Sequence, residues 1–261
     1  MTLAFDRAGN GPPLVLLHGV GHRRQAWHPV LDRLTPHRDV IMVDLPGHGE
    51  SPPLRAKGPV LDAMLAEVLA LIDELGLHQP HIAGNSLGGR LALEAGAASK
   101  VATVTALSPA GFWRKDSEAR YAKAVFKVMQ GAGKTLLPIA PTVARSRLGR
   151  ALTYSAIVSR PGRMSPEQAQ GDMAAFVNAK DALNSVLAGL SNFHSTMPSS
   201  VPVTVAWGTR DRLLPQRQIL VAKAWLPDAQ LVPLPGCGHV PMTDDPALVA
   251  QVLLHGSSRG D

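Results

Sequence analysis

The sequence predicts an α/β protein: a mostly parallel sheet with helices packed on both faces and one long helical insertion. Three observations carry this. Short unbroken apolar runs recur, LVLL at 14–17, VIMV at 40–43 and HIAG at 81–84, as strands buried on both faces require. Amphipathic helical patterns separate them, and a strand–helix–strand alternation places helices on a parallel sheet. The alternation stops near Ala110 and resumes at Val201.

In order, LVLL is followed by a helical pattern over 23–34, and VIMV leads to a helix over 61–75. That helix sets Leu61, Met64, Leu65, Val68, Leu71, Ile72 and Leu75 on one face and Asp62, Glu67 and Asp73 on another, and Gly76 supplies its stop. HIAG precedes a helix over 87–97, and VATVTALS at 101–108 is the fourth strand. The next ~90 residues show no strand signal. They carry helical spacing over 117–129 and a longer pattern over 165–190, opened by Ser165 as cap, Pro166 in the first turn and Gln168 placed for a capping box. GAGKT at 131–135 lacks the spacing and the preceding strand of a phosphate loop. VPVTVAW at 201–207, a helix over 216–225, AQLVPL at 229–234 and a helix over 246–254 complete the chain. The expected organisation is a core of residues 1–110 and 199–261 with a helical cap at 111–198.

A chain of 261 residues with 45% hydrophobic content is long enough to bury a sizeable core. One cysteine, Cys237, excludes a disulfide scaffold and a cysteine-based zinc site, and we expect no metal and no organic cofactor. The net charge is +6, but residues 112–197 hold 12 basic and 5 acidic side chains, so the excess belongs to the insertion. No nucleic-acid module accompanies it, and nucleic acid is not an expected partner. No apolar run reaches the ~20 residues of a membrane span. The opening MTLAFDRAGNGPP lacks a secretory pattern, so the expected location is cytoplasmic. A monomer or homodimer acting on a small molecule is expected.

The chemistry centres on Gly84-Asn85-Ser86-Leu87-Gly88, between a predicted strand and a predicted helix. A serine on so sharp a turn needs neighbours without bulk, which Gly84 and Gly88 provide. The same turn puts the Leu87 N–H at a helix N-terminus, where a developing oxyanion would be held. Serine needs a base. Of ten histidines, His239 in GCGHVP follows the last strand and so lies at the carboxyl end of the sheet, with Ser86. His194, in the insertion, is a further candidate to line a pocket. Asp211 follows the preceding strand and would orient the imidazole; Asp44, Asp244 and Asp245 are its rivals. His18-Gly19-Val20-Gly21 follows the first run, with Val20 N–H as the second oxyanion donor, Gly21 near the substrate and His18 structural.

Taken together, GPPLVLLHGVG, VDLPGHGES, AGNSLGGRLALE, WGTRDRLLP and GCGHVPMTDDP resemble the α/β-hydrolase fold family over nearly the whole chain. The resemblance implies seven or eight strands, a helical cap, a triad of Ser86, Asp211 and His239, and oxyanion donors Val20 and Leu87. The short N-terminus argues for seven strands. A serine at the elbow excludes the haloalkane dehalogenase and soluble epoxide hydrolase branches, which use aspartate. Hydrolases of ring-cleavage products share GNSLGG but carry a different oxyanion loop. The run ending at Arg90 is similar to a menaquinone-pathway synthase, and Arg90, one turn past Ser86, is a candidate for a substrate carboxylate. The expected activity is hydrolysis of a small to medium carboxylic ester through an acyl-enzyme. C–C hydrolysis or proton-abstracting elimination of an anionic molecule is the alternative, and a triad-bearing small-molecule receptor the third reading.

Overall fold

The computed structural model describes residues 2–54 and 58–259. Seven strands form one sheet: β1 (Phe5–Ala8), β2 (Pro13–Leu17), β3 (Asp39–Val43), β4 (His81–Asn85), β5 (Val104–Leu107), β6 (Val203–Gly208) and β7 (Gln230–Leu234), in the order β1-β3-β2-β4-β5-β6-β7. Only β1 is antiparallel, pairing Phe5 with Val43 and Ala8 with Val40. The other pairs are parallel, Leu17 lying opposite both Val43 and Gly84. The first antiparallel strand therefore forms from the short N-terminus, and the sheet has seven strands.

Alternation along each strand builds two cores. Leu14 and Leu16 of β2, with Val40 and Met42 of β3, pack against Trp27 and against Val30 and Leu34 of α1 (His28–Leu34). The C-terminal helix α11 (Pro246–Ser257) adds Val249 and Leu253 to this face. On the other face Val15, Leu17, Ile41 and Val43 meet α2 (Val60–Glu74) and α3 (Leu87–Ala97) through Met64, Val68, Leu71, Leu87 and Leu91. Both faces are covered, which is why the strands read as unbroken apolar runs rather than alternating ones.

Between β5 and β6 the described residues form helices only: α4 (Asp116–Leu136), α5 (Ala140–Arg145), α6 (Arg147–Tyr154), α7 (Pro166–Asn178) and α8 (Lys180–Gly189). The sequence predicts one helix over 165–190; the chain instead breaks at Ala179 into α7 and α8. Ser165 caps α7 by accepting from Gln168 N at 3.0 Å, but the reciprocal arm is missing, because Gln168 Nε2 donates to Thr243 Oγ1 instead. GAGKT lies inside α4. Two shorter helices, α9 (Ile219–Trp225) and α10 (Pro241–Asp244), flank β7.

The strand order reverses direction at β2, whose neighbours are β3 and β4. Loops leaving the carboxyl ends of β2 and β4 diverge there and open a crevice, the position where ligands bind in such sheets. The loop His18–Gly21 and the turn at Ser86 are those two loops.

Candidate active site

Ser86 has φ 57° and ψ −112°, left-handed backbone that a serine adopts only under constraint. The constraint is visible. Ser86 N donates to Leu107 O at 2.9 Å, while Ser86 O accepts from Arg90 N at 3.0 Å and Ala110 N at 3.1 Å. A Cβ on Gly84 would collide with the backbone of Gly88, and one on Gly88 with the carbonyl of Leu17. The turn is therefore possible only with glycine at both places. Leu87 opens α3, so its N–H has no partner within the helix. Gly19 sits against the elbow, where an added Cβ would lie 3.3 Å from Ser86 Cβ, so the loop bearing Val20 closes over the serine.

His239 follows β7 and is buried. Its Nδ1 lies 2.8 Å from Asp211 Oδ2, which is buried as well. The other carboxylate oxygen, Oδ1, accepts from Leu213 N at 2.9 Å and Leu214 N at 2.8 Å. The turn after β6 thus fixes Asp211 and leaves one oxygen for the imidazole. An ionised Asp211 is a pure acceptor, so Nδ1 carries the proton and Nε2 presents a lone pair. That Nε2 is buried and has no hydrogen-bond partner. His239 and Ser86 line one cavity of about 480 Å³, mainly apolar, with Val20 and Gly21 at its wall. Residues of α4, α6 and α7 form much of the rest, among them Val125, Met129, Leu152 and Phe176.

A profile of the alpha/beta hydrolase family matches residues 14–252. The chain belongs to the alpha/beta hydrolase family. It is 30% identical over 265 residues to an uncharacterized protein of Mycobacterium tuberculosis, covering 96% of this chain and 76% of that one. To the pimeloyl-[acyl-carrier protein] methyl ester esterase of Aeromonas hydrophila it is 28% identical, over 98% of this chain and 99% of the relative. Among solved structures, a bacterial membrane phospholipase A superposes with a TM-score of 0.75 at 23% identity, over 99% of this chain and 86% of that one, which establishes the shared fold.

Within this hydrolase fold the remaining sequence candidates separate. Arg90 does not face the cavity of Ser86. Its Nε pairs with Glu94 at 2.7 Å, its Nη1 and Nη2 donate to the carbonyls of Ser191 and Asn192, and it lies over the ring of Phe193. It fastens α3 to the chain returning from α8, and the expected substrate contact is corrected to a structural one. His194 lines a pocket, but not the one that Ser86 lines, so the expected substrate contact there is corrected: its ring packs edge-on to Trp225 at 4.7 Å and borders a separate cavity. His18 is structural, its Nδ1 donating to Gly19 O at 2.7 Å and its Nε2 accepting from Leu45 N at 3.0 Å. Asp44 binds Arg24, and Asp245 caps α11. Cys237 is a buried filler whose thiol is pushed up to about 11 by burial and by Asp244 and Asp245.

Two residues near the site tie it to its neighbours in ways the sequence reading does not assign. Asn85 Nδ2 donates to both Leu107 O at 3.1 Å and His239 O at 2.9 Å, tying the elbow to the histidine loop. Its signal was a polar side chain at a strand position that must be buried. Asp244, fully buried, accepts from Gly238 N, Ser159 N and Arg160 N at 2.7, 3.0 and 2.6 Å. It joins the histidine loop to the helical insertion. Among the described residues no group of three or more His, Cys, Asp or Glu is placed to hold a metal, and no helix is long and apolar enough to cross a membrane.

Proposed function

We propose that the protein hydrolyses carboxylic esters with Ser86 as nucleophile, His239 as general base and Asp211 as its orienting acid. The observation that carries this reading is the His239–Asp211 contact at 2.8 Å, with the opposite imidazole nitrogen unpartnered in the cavity that Ser86 lines. His239 Nε2 takes the hydroxyl proton as Ser86 Oγ adds to the ester carbonyl. The N–H groups of Val20 and Leu87 hold the resulting oxyanion. Collapse of the tetrahedral species breaks the bond to the leaving alcohol, which takes the proton from His239. Water then repeats the sequence on the acyl-enzyme, releasing the acid and restoring Ser86. Residues 111–198 act as the cap, supplying the apolar wall of the cavity. Elimination or C–C hydrolysis guided by Arg90 loses its anchor, because the guanidinium is engaged with Glu94, Ser191 and Asn192.

The test is labelling with a fluorophosphonate followed by peptide mapping, with p-nitrophenyl esters as substrates. The adduct is expected on Ser86, and Ser86→Ala is expected to lose at least about 10³-fold in kcat. An adduct elsewhere, or undiminished turnover by the variant, rejects the assignment.

A further inference from the structure

The cavity is mainly apolar, and a buried carboxylate stands in its wall away from Ser86. Asp172 on α7 lines it and is only 5% exposed. Its Oδ1 accepts from Arg23 Nε at 3.1 Å, but its Oδ2 is buried and accepts no hydrogen bond. Facing it is His22, two residues past Val20 and also in the cavity wall. Arg23 N donates to His22 Nδ1 at 3.1 Å, so Nδ1 is an acceptor and the ring proton belongs to Nε2. His22 Nε2 and Asp172 Oδ2 are 3.8 Å apart, too far to bond each other. The spacing leaves a donor and an acceptor side by side, at a separation that one oxygen can bridge with a hydrogen bond to each.

We propose that this notch is a subsite for a hydroxyl group of the substrate. The inference rests on the ester-hydrolase reading and refines its substrate class: an ester whose acyl or alcohol part carries a hydroxyl. A hydroxyl is small and both accepts, here from His22 Nε2–H, and donates, here to Asp172 Oδ2. A hydrocarbon satisfies neither group, and a ketone leaves Asp172 Oδ2 without a donor. A carboxylate brings no donor for Asp172 Oδ2, and an ammonium brings no acceptor for His22 Nε2–H. Sites that hydrogen-bond a substrate hydroxyl discriminate strongly against analogues lacking it, because their own buried polar groups are left unpaired. The notch also spans the two parts of the cavity wall, His22 and Arg23 from the loop after β2 and Asp172 from α7, so a hydroxylated substrate would bridge them.

The experiment compares kcat/KM for two ester series of four to eight carbons, one with a terminal hydroxyl on the acyl chain and one with it on the alcohol. Each ester is measured beside its unsubstituted and its keto counterpart. In the native protein at least one hydroxy ester is expected to exceed its unsubstituted counterpart about tenfold. Asp172→Asn keeps an acceptor for Arg23 and turns the other position into a donor. It should raise the keto-to-hydroxy ratio several-fold, because a ketone oxygen can accept from both of the donors then present. A purely structural Asp172 would lower all members alike, and that result, or no hydroxyl preference in either series, overturns the proposal. Calorimetry of the same esters on Ser86→Ala provides the second measurement. Should the native protein cleave no ester, the hydrolase reading fails, and the calorimetry still decides the notch: tighter binding of the hydroxy member supports it and equal binding sinks it.

Discussion

Ser86 occupies a backbone conformation that costs roughly 1–3 kcal/mol, and the price is met by its surroundings rather than by the serine. Three backbone hydrogen bonds, to Leu107, Arg90 and Ala110, overdetermine its position. The two flanking glycines remove the atoms that would collide with Leu17 and with the opposite limb of the turn. Gly88→Ala brings a methyl against the Leu17 carbonyl, backbone that cannot rotate away. We expect a loss of about 3 kcal/mol or more in urea unfolding, together with loss of fluorophosphonate labelling. An alanine variant with native stability would show that the elbow has slack the geometry does not suggest. The same residue-scale logic separates the histidines. His239 is set apart by a carboxylate on one nitrogen and nothing on the other, whereas His18 spends both nitrogens on backbone groups.

The histidine loop is held by three elements at once: β4 through Asn85 on His239 O, the insertion through Ile157 O accepting from Val240 N, and α10 through Asp244 on Gly238 N. Asp244 also takes Ser159 N and Arg160 N, and its carbonyl accepts from Arg163. Asp244→Ala would strand three N–H groups, that of Gly238 buried and those of Ser159 and Arg160 partly buried, at a cost of about 2–3 kcal/mol. It should also open the 155–165 segment to limited proteolysis; Asp244→Asn, retaining one acceptor, should show a smaller loss. Equal stability of both variants with the native protein would remove Asp244 from this role. The tie to the insertion was not legible in the sequence, where Asp244 stood only as a less suitable rival to Asp211, because Ser159 and Arg160 lie 85 and 84 residues away. The strands from β2 to β6 were legible because burial on both faces leaves apolar runs, and β7 through the apolar residues of AQLVPL although most of it is half-buried. The edge strand β1 was not, since FDRA is partly exposed and shows no such run. The break at Ala179 has no glycine or proline to mark it, and α5 and α6 expose much of their surface. For Arg90, Glu94 four residues on was visible, but the carbonyls of Ser191 and Asn192 were not.

At the scale of the whole molecule, folding commits two histidines to a dry environment beneath the crevice. His18 is fully buried, and burial, with a further push from neighbouring His48, holds its imidazole well below the ordinary range; burial lowers His48 as well. The rings meet edge to face at 5.3 Å. In the unfolded chain both would titrate near ~6.5. Above that value both states are neutral and the pair's contribution is complete. As pH falls through it, the unfolded chain takes up protons that the native protein refuses, so stability declines with falling pH. One pH unit below the unfolded value, each proton so refused costs at most about 1.4 kcal/mol. Carboxylates with lowered values, such as Glu118, add their losses only at more acidic pH. His18→Gln keeps a side-chain acceptor and donor but removes the titration. The variant should be less stable than the native protein at pH 7.5, yet decline less on going to pH 5.5 in urea unfolding, by up to about 1.4 kcal/mol. Parallel declines in the two proteins would mean that His18 is protonated in the folded state, and the neutral imidazole bridging Gly19 and Leu45 would then be the wrong description of the base of the oxyanion loop.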